Sequence, residues 1–158
     1  MRILPDMRYL VAALFMSLAH AAPAQASGAF SCEAADKAVK FSTSAGLSRG
    51  GGMFLNMSAQ LQIRDGAVPQ DLRKLELAGE DITQRWLHGR ELKLRFYRER
   101  DNKLPHGYVD LLIEARESKE DESKYRGSYR LSIYSLKTEQ DSDGQRTTLR
   151  GKVDCFVE

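Results

Sequence analysis

Residues 53–65, MFLNMSAQLQIRD, alternate between apolar and polar side chains, which is the pattern of a β-strand with one buried face. The alternation assigns these side chains to the interior: Met53, Leu55, Met57, Ala59, Leu61 and Ile63. At ~3.3 Å per residue, a straight strand of this length would span roughly 40 Å, which is longer than most strands. The pattern therefore predicts a strand that bends or contains a β-bulge.

The same alternation recurs along most of the chain. It predicts further strands around residues 30–32, 39–43, 75–77, 92–96, 109–115, 129–133 and 149–157. Polar, turn-rich segments separate them, and Asp143-Gly144 is a strong hairpin signal. We expect a mainly β domain of seven or eight antiparallel strands, either one barrel or a two-sheet sandwich. The large inward side chains predict a packed interior without a roomy ligand cavity.

The segment EDITQRWLHG, residues 80–89, fits one short helix. Asp81 can cap its start, Ile82 and Trp86 lie four residues apart on one face, and Gly89 suits the position after its end. The expected helix packs its apolar face on the sheet, which places Trp86 in the core.

The first 26 residues have the features of a cleaved signal peptide. Arg2 and Arg8 precede an apolar run from Leu10 to Leu18, and Ala24-Gln25-Ala26 matches the small-residue cleavage site. A membrane anchor is the alternative, but the run is about half of the ~20 residues that span a bilayer. The sequence thus predicts a single β domain, residues 27–158, that is periplasmic or secreted and has no stable membrane anchor after cleavage.

The charge of the predicted domain is nearly balanced. The signal segment contains two arginines and one aspartate, so its removal lowers the formal net charge from +2 to +1. No overall field then attracts nucleic acid or anionic membranes.

Two cysteines, Cys32 and Cys155, lie near the two ends of this domain. An even number of cysteines in an exported chain favours a disulfide, and Cys155 is in phase with the apolar positions of the last strand. A bridge would point into the core and join the first strand to the last. Two buried free thiols are the alternative, while a metal site with His88 and His106 lacks ligand spacing.

Catalytic and metal motifs are weak in this sequence. GLSRG, residues 46–50, matches the G-x-S-x-G pattern around a nucleophilic serine, but three glycines and a strand pattern follow Ser48 where a helix is required. We therefore expect a hairpin loop there. The acidic run at 139–143 resembles the start of a calcium loop, but Arg150 occupies the place of the bidentate glutamate. The sequence predicts no catalytic residue, metal or cofactor, and His88 and His106 are expected in surface turns.

Aromatic and arginine side chains fall on the predicted outer faces of three strands. The candidate binding face consists of Arg95, Tyr97, Arg130, Tyr134, Arg150 and Phe156. Tyrosine and arginine are enriched at binding hot spots because they combine contact area with hydrogen bonding.

The sequence therefore suggests an exported, non-enzymatic binding module of the bacterial envelope that acts on an unidentified protein or polymer. In size, export signal and architecture the chain is similar to the lysozyme inhibitors among small disulfide-bonded envelope domains, although no motif carries over. The alternatives are a carrier of a small apolar ligand inside a barrel and an uncharacterised enzyme.

Overall fold

The computed structural model describes residues 28–48, 54–101, 103–140 and 142–158. Within these ranges the regular structure consists of nine β-strands and two short 3₁₀ turns, Gln70–Leu72 and Gly79–Asp81. The strands are β1 (Gly28–Ala35), β2 (Val39–Leu47), β3 (Phe54–Ile63), β4 (Lys74–Ala78), β5 (Ile82–His88), β6 (Glu91–Glu99), β7 (Gly107–Glu117), β8 (Lys124–Ser135) and β9 (Gln145–Val157).

The strands form one antiparallel sheet in the order β4-β3-β2-β1-β9-β8-β7-β6-β5. Strands that are consecutive in the chain pair with each other, except β4 and β5, and β1 also pairs with β9. The sheet curls into a nearly closed barrel whose gap lies between β4 and β5. Of the two predicted architectures, the barrel is the one observed.

Large apolar side chains fill the barrel. Leu92, Leu94 and Phe96 of β6 are fully buried, as expected from their alternation. The rings of Phe41 on β2 and Phe96 on β6 meet edge to face with centroids 5.4 Å apart, although their strands are separated by four others in the sheet. The barrel is therefore packed across its width at this level.

The predicted disulfide is confirmed. Cys32 and Cys155 lie directly opposite each other on β1 and β9, with their Cα atoms 4.0 Å apart. Both residues are fully buried, so the bridge points into the core and joins the first strand to the last.

The predicted bulge occurs where β2 and β3 pair. The register shifts between Ser44 and Gly46, and opposite them Asn56 has a φ of +50°, a left-handed conformation that asparagine tolerates better than most residues. The extra residue reverses the side-chain phase. Phe54 is therefore buried and Leu55 exposed, so the predicted inward position of Leu55 is wrong, while Met57 onward follows the prediction.

The predicted helix at 80–89 is wrong, and the residues form β5 instead. The pairing of β5 with β6 shifts register between Ile82 and Gln84, so Ile82 lies opposite the buried Phe96 whereas Trp86 lies opposite Lys93 on the outer face. Asp81 accepts a hydrogen bond from the backbone amide of Ala78, 3.0 Å away, and Gly89 has a φ of +56° in a two-residue hairpin loop. Trp86 is 49% exposed and is not in the core. This additional strand explains why there are nine strands.

Several predicted features lie outside the described residues, namely the signal peptide, the three glycines at 50–52 and Asp141. Within the described ranges, no helix has the length and apolar character needed to cross a membrane.

Candidate functional site

The outer face of β6 to β9 contains most of the predicted binding residues. Strand register aligns Arg95 with Leu112, Leu112 with Arg130, and Arg130 with Arg150. Arg130 and Arg150 are both exposed and directly opposite, and neither has an acidic partner among the residues that the structure describes. We refer to these two residues as the arginine pair.

Arg95, by contrast, is neutralised by a carboxylate. Its Nε and Nη2 atoms donate to the two carboxylate oxygens of Asp110 on β7 at 2.8 and 2.7 Å. This bidentate bond raises the pKa of Arg95 above its ordinary value.

Three tyrosines form a ladder beside the arginines. The rings of Tyr97 and Tyr108 are 5.6 Å apart between centroids, and those of Tyr108 and Tyr134 stack at 5.5 Å with planes 24° apart. His106 contacts both rings of the second pair. The centroid of its ring lies 6.1 Å from that of Tyr108 and 5.7 Å from that of Tyr134. We call Tyr97, Tyr108 and Tyr134 the tyrosine ladder.

Polar contacts hold both ends of the ladder. The Tyr97 hydroxyl donates to Glu99 at 2.8 Å, and burial together with this bond raises the pKa of Tyr97 to about 12. At the other end the Arg146 guanidinium carbon lies 5.9 Å from the centroid of the Tyr134 ring. The ladder is thus a pre-organised surface whose side chains already contact each other.

An open depression of about 430 Å³ lies over the arginines. Its lining residues are Gln84, Arg95, Asp110, Leu112, Arg130, Ser132, Thr148 and Arg150. Three arginines against one aspartate leave a local excess of two positive charges. Two hydroxyl groups and an amide add neutral hydrogen-bonding groups, so the depression is suited to an anionic group.

Five of the six predicted face residues lie together on β6, β8 and β9, namely Arg95, Tyr97, Arg130, Tyr134 and Arg150. Phe156 is exposed but does not join them. It pairs with Ser31 and Lys124, six residues along β9 from Arg150, which corresponds to about 20 Å of strand.

Sequence reasoning missed several residues of this surface. Tyr108 and Asp110 alternate with the buried Val109 and Leu111, so their outward orientation could have been found from the same pattern. Their proximity to Arg95 and Tyr134 depends on strand register, which the pattern does not specify. His106 precedes β7, and nothing in its local sequence indicates a ring contact.

The residues weighed as catalytic candidates belong to different elements. His88 is exposed at the end of β5, where its ring lies 5.7 Å from that of Trp86. Ser48 directly follows β2, and β2 pairs antiparallel with β3. The first two residues of the G-x-S-x-G motif, Gly46 and Leu47, belong to β2, and the loop expected after Ser48 lies outside the described ranges.

Comparison with protein-family models, with curated proteins and with solved structures found no match to this chain.

Proposed function

We propose that this chain is an exported, non-enzymatic binding module that holds a protein or polymer partner on the outer face of β6 to β9. The arginine pair is the observation that carries the proposal. Like charges directly opposite each other on neighbouring strands destabilise a sheet, and here no described acidic residue offsets them. An anionic partner would supply the missing counter-charge.

The packed interior of the barrel favours an external binding site and argues against a carrier function. A carrier needs an enclosed cavity of a few hundred Å³. Here the positions that would line it are occupied by fully buried Leu94, Phe96, Leu111 and Leu131, and rings meet across the barrel. The depression of about 430 Å³ over the arginines lies on the outside of the barrel.

Export to the bacterial envelope is part of the same proposal. A disulfide and the absence of a membrane-spanning helix among the described residues are compatible with a periplasmic or extracellular location. The leader at residues 1–26 has the charge, apolar run and small residues of a signal peptide.

The test is capture from an envelope extract of the source cells, using chain expressed with its own leader. The variant Arg130→Gln/Arg150→Gln removes the arginine pair. Lys40→Gln/Lys74→Gln is the matched control, because it removes the same charge from exposed positions on β2 and β4. Circular dichroism establishes that both variants are folded.

We expect material that wild type retains to be lost by the arginine variant and kept by the lysine variant. Mass spectrometry and sugar analysis identify the retained material. Equal retention by all three chains, or no specific retention by wild type, would contradict the proposal.

A further inference from the structure

The outer face of β8 and β9 differs from that of β6 and β7 in how its positive charges are partnered. On the outer face of β6 and β7, three cations are bound by carboxylates: Lys93 by Glu114 at 3.5 Å, Arg95 by Asp110 at 2.7 Å and Arg116 by Glu91 at 2.7 Å. On β8 and β9, the cations that have no acidic partner among the described residues are Arg130, Arg146, Arg150 and Lys152.

Three of these four cations lie in a line on β9. Arg146, Arg150 and Lys152 are at even spacings, so their side chains leave the same face of the strand. Six residues at ~3.3 Å each give a track of roughly 20 Å, about the length of a six-residue extended peptide. Because side chains on one face of a strand repeat every ~6.6 Å, alternate residues of an extended partner would match Arg150 and Lys152.

The chemistry of the arginine pair favours a carboxylate. Cβ atoms of directly opposite residues on antiparallel strands are ~5 Å apart, so both guanidinium groups can converge on one anionic group. The same depression contains an arginine with a carboxylate bound through two hydrogen bonds, Arg95 with Asp110. A carboxylate from a partner would reproduce this arrangement at the neighbouring arginines.

The tyrosine ladder distinguishes a protein partner from a sugar or nucleic acid partner. Sugar rings and bases use free aromatic faces for stacking. Tyr108 lies between Tyr97 and Tyr134, and Tyr134 lies between Tyr108 and Arg146. Their faces contact each other, which leaves ring edges and hydroxyl groups for a partner.

We propose that the partner is a protein that lays an acidic, extended segment along β9, with one of its carboxylates between Arg130 and Arg150. This inference rests on the proposed function and specifies the chemistry of the partner. The ring edges and hydroxyls of Tyr108 and Tyr134 contact the backbone and polar side chains of the same segment.

The test measures binding of synthetic hexaglutamate to the oxidised chain by titration calorimetry at low salt. Hexaglutamine is the uncharged control probe, and hexagalacturonate carries the same carboxylates on sugar rings. The chains are wild type, Arg130→Gln/Arg150→Gln and the control Lys40→Gln/Lys74→Gln. We expect hexaglutamate to bind wild type and the lysine variant alike, and to bind the arginine variant at least about ten-fold more weakly. Added salt should weaken the binding to wild type.

The following outcomes would overturn the inference. Tighter, arginine-dependent binding of hexagalacturonate would assign the face to an acidic polysaccharide and leave the proposed function in place. Equal hexaglutamate affinities of the arginine and lysine variants, or no binding, would exclude the acidic segment. The capture experiment decides the proposed function separately, because it does not depend on the chemistry of the partner.

Discussion

At the scale of single residues, two arginines at the end of β6 connect parts of the barrel that backbone pairing leaves unconnected. Arg98 binds both carboxylate oxygens of Asp81, which lies in the turn between β4 and β5, and donates to the Glu76 carbonyl of β4 at 3.1 Å. Arg100, whose side chain is buried, binds Asp71 at 2.7 Å and the Pro105 carbonyl at 2.8 Å. Side chains at the end of β6 therefore bind β4 and the turn that precedes β5, where the two edge strands do not pair.

We expect Asp81→Asn to lower the free energy of unfolding by about 2 kcal/mol. The Asp81 carboxylate is buried, but water reaches Arg98, so the loss is smaller than for a fully buried ion pair. Urea denaturation measures it. Glu91→Gln, which breaks an exposed pair with Arg116, is the control and should have a much smaller effect. Equal effects of the two substitutions would show that the Asp81–Arg98 bond has no special role.

The same substitution should change the pH dependence of stability. The hydrogen bond from Arg98 holds the pKa of Asp81 below its ordinary value of 3.8. A carboxylate with a lowered folded pKa stabilises the fold above its unfolded pKa, and that contribution is lost as pH falls through the folded pKa. The stability difference between wild type and Asp81→Asn should therefore be constant near neutral pH and shrink below about pH 4. A difference that grows with acid would contradict this sign.

At the scale of elements, β5 is an exposed edge strand and not a helix packed on the sheet. Only Ile82 of its residues is buried, and Trp86 projects from it beside His88. Edge strands expose unpaired backbone groups and are commonly protected by charged side chains, which Arg85 provides here.

The emission of Trp86, the chain's single tryptophan, reports directly on this element. We expect acrylamide to quench it in the folded protein nearly as well as in urea, because the ring is half exposed. Trp86→Phe should change stability by less than about 1 kcal/mol. Strong protection from quenching would support the packed helix that the local spacing also fits.

At the scale of the whole molecule, the disulfide and the pairing of β1 with β9 close the barrel near its chain ends and leave the gap in the middle of the sequence. The bridge spans 123 residues, so in the chain-entropy model it restricts the unfolded chain strongly. It also lies within a ladder that runs from Phe30–Val157 to Glu33–Asp154.

We expect Cys32→Ala/Cys155→Ala to keep the barrel but to lower its free energy of unfolding by about 3–5 kcal/mol. Alanine is chosen because it buries no unpaired hydroxyl at these fully buried positions. Urea denaturation of the oxidised wild type and the double variant gives the difference, with far-ultraviolet circular dichroism as the check on fold. An unchanged midpoint would mean that the bridge does not stabilise the barrel.

Local alternation was sufficient for most of the strands and their buried faces, because a half-buried strand needs apolar residues at every second position. Leu92, Leu94 and Phe96 illustrate this, and Cys155 was placed in the core by the same phase. Two local ambiguities led to errors. The i, i+4 spacing of Ile82 and Trp86 fits one face of a helix, but a register shift after Ile82 places the two on opposite faces of a strand, and the bulge at Asn56 inverts the phase of Phe54 and Leu55.

By itself, the sequence determined a mainly β chain with a buried bridge between its first and last strands, and the outward direction of Arg95, Tyr97, Arg130 and Arg150. Only the tertiary structure decided that the sheet closes into a barrel, that Arg130 faces Arg150, and that Tyr108 joins Tyr97 and Tyr134. The physical reason is that side-chain direction follows from a period of two along one strand, whereas neighbours across strands depend on register and closure, which are set by long-range pairing.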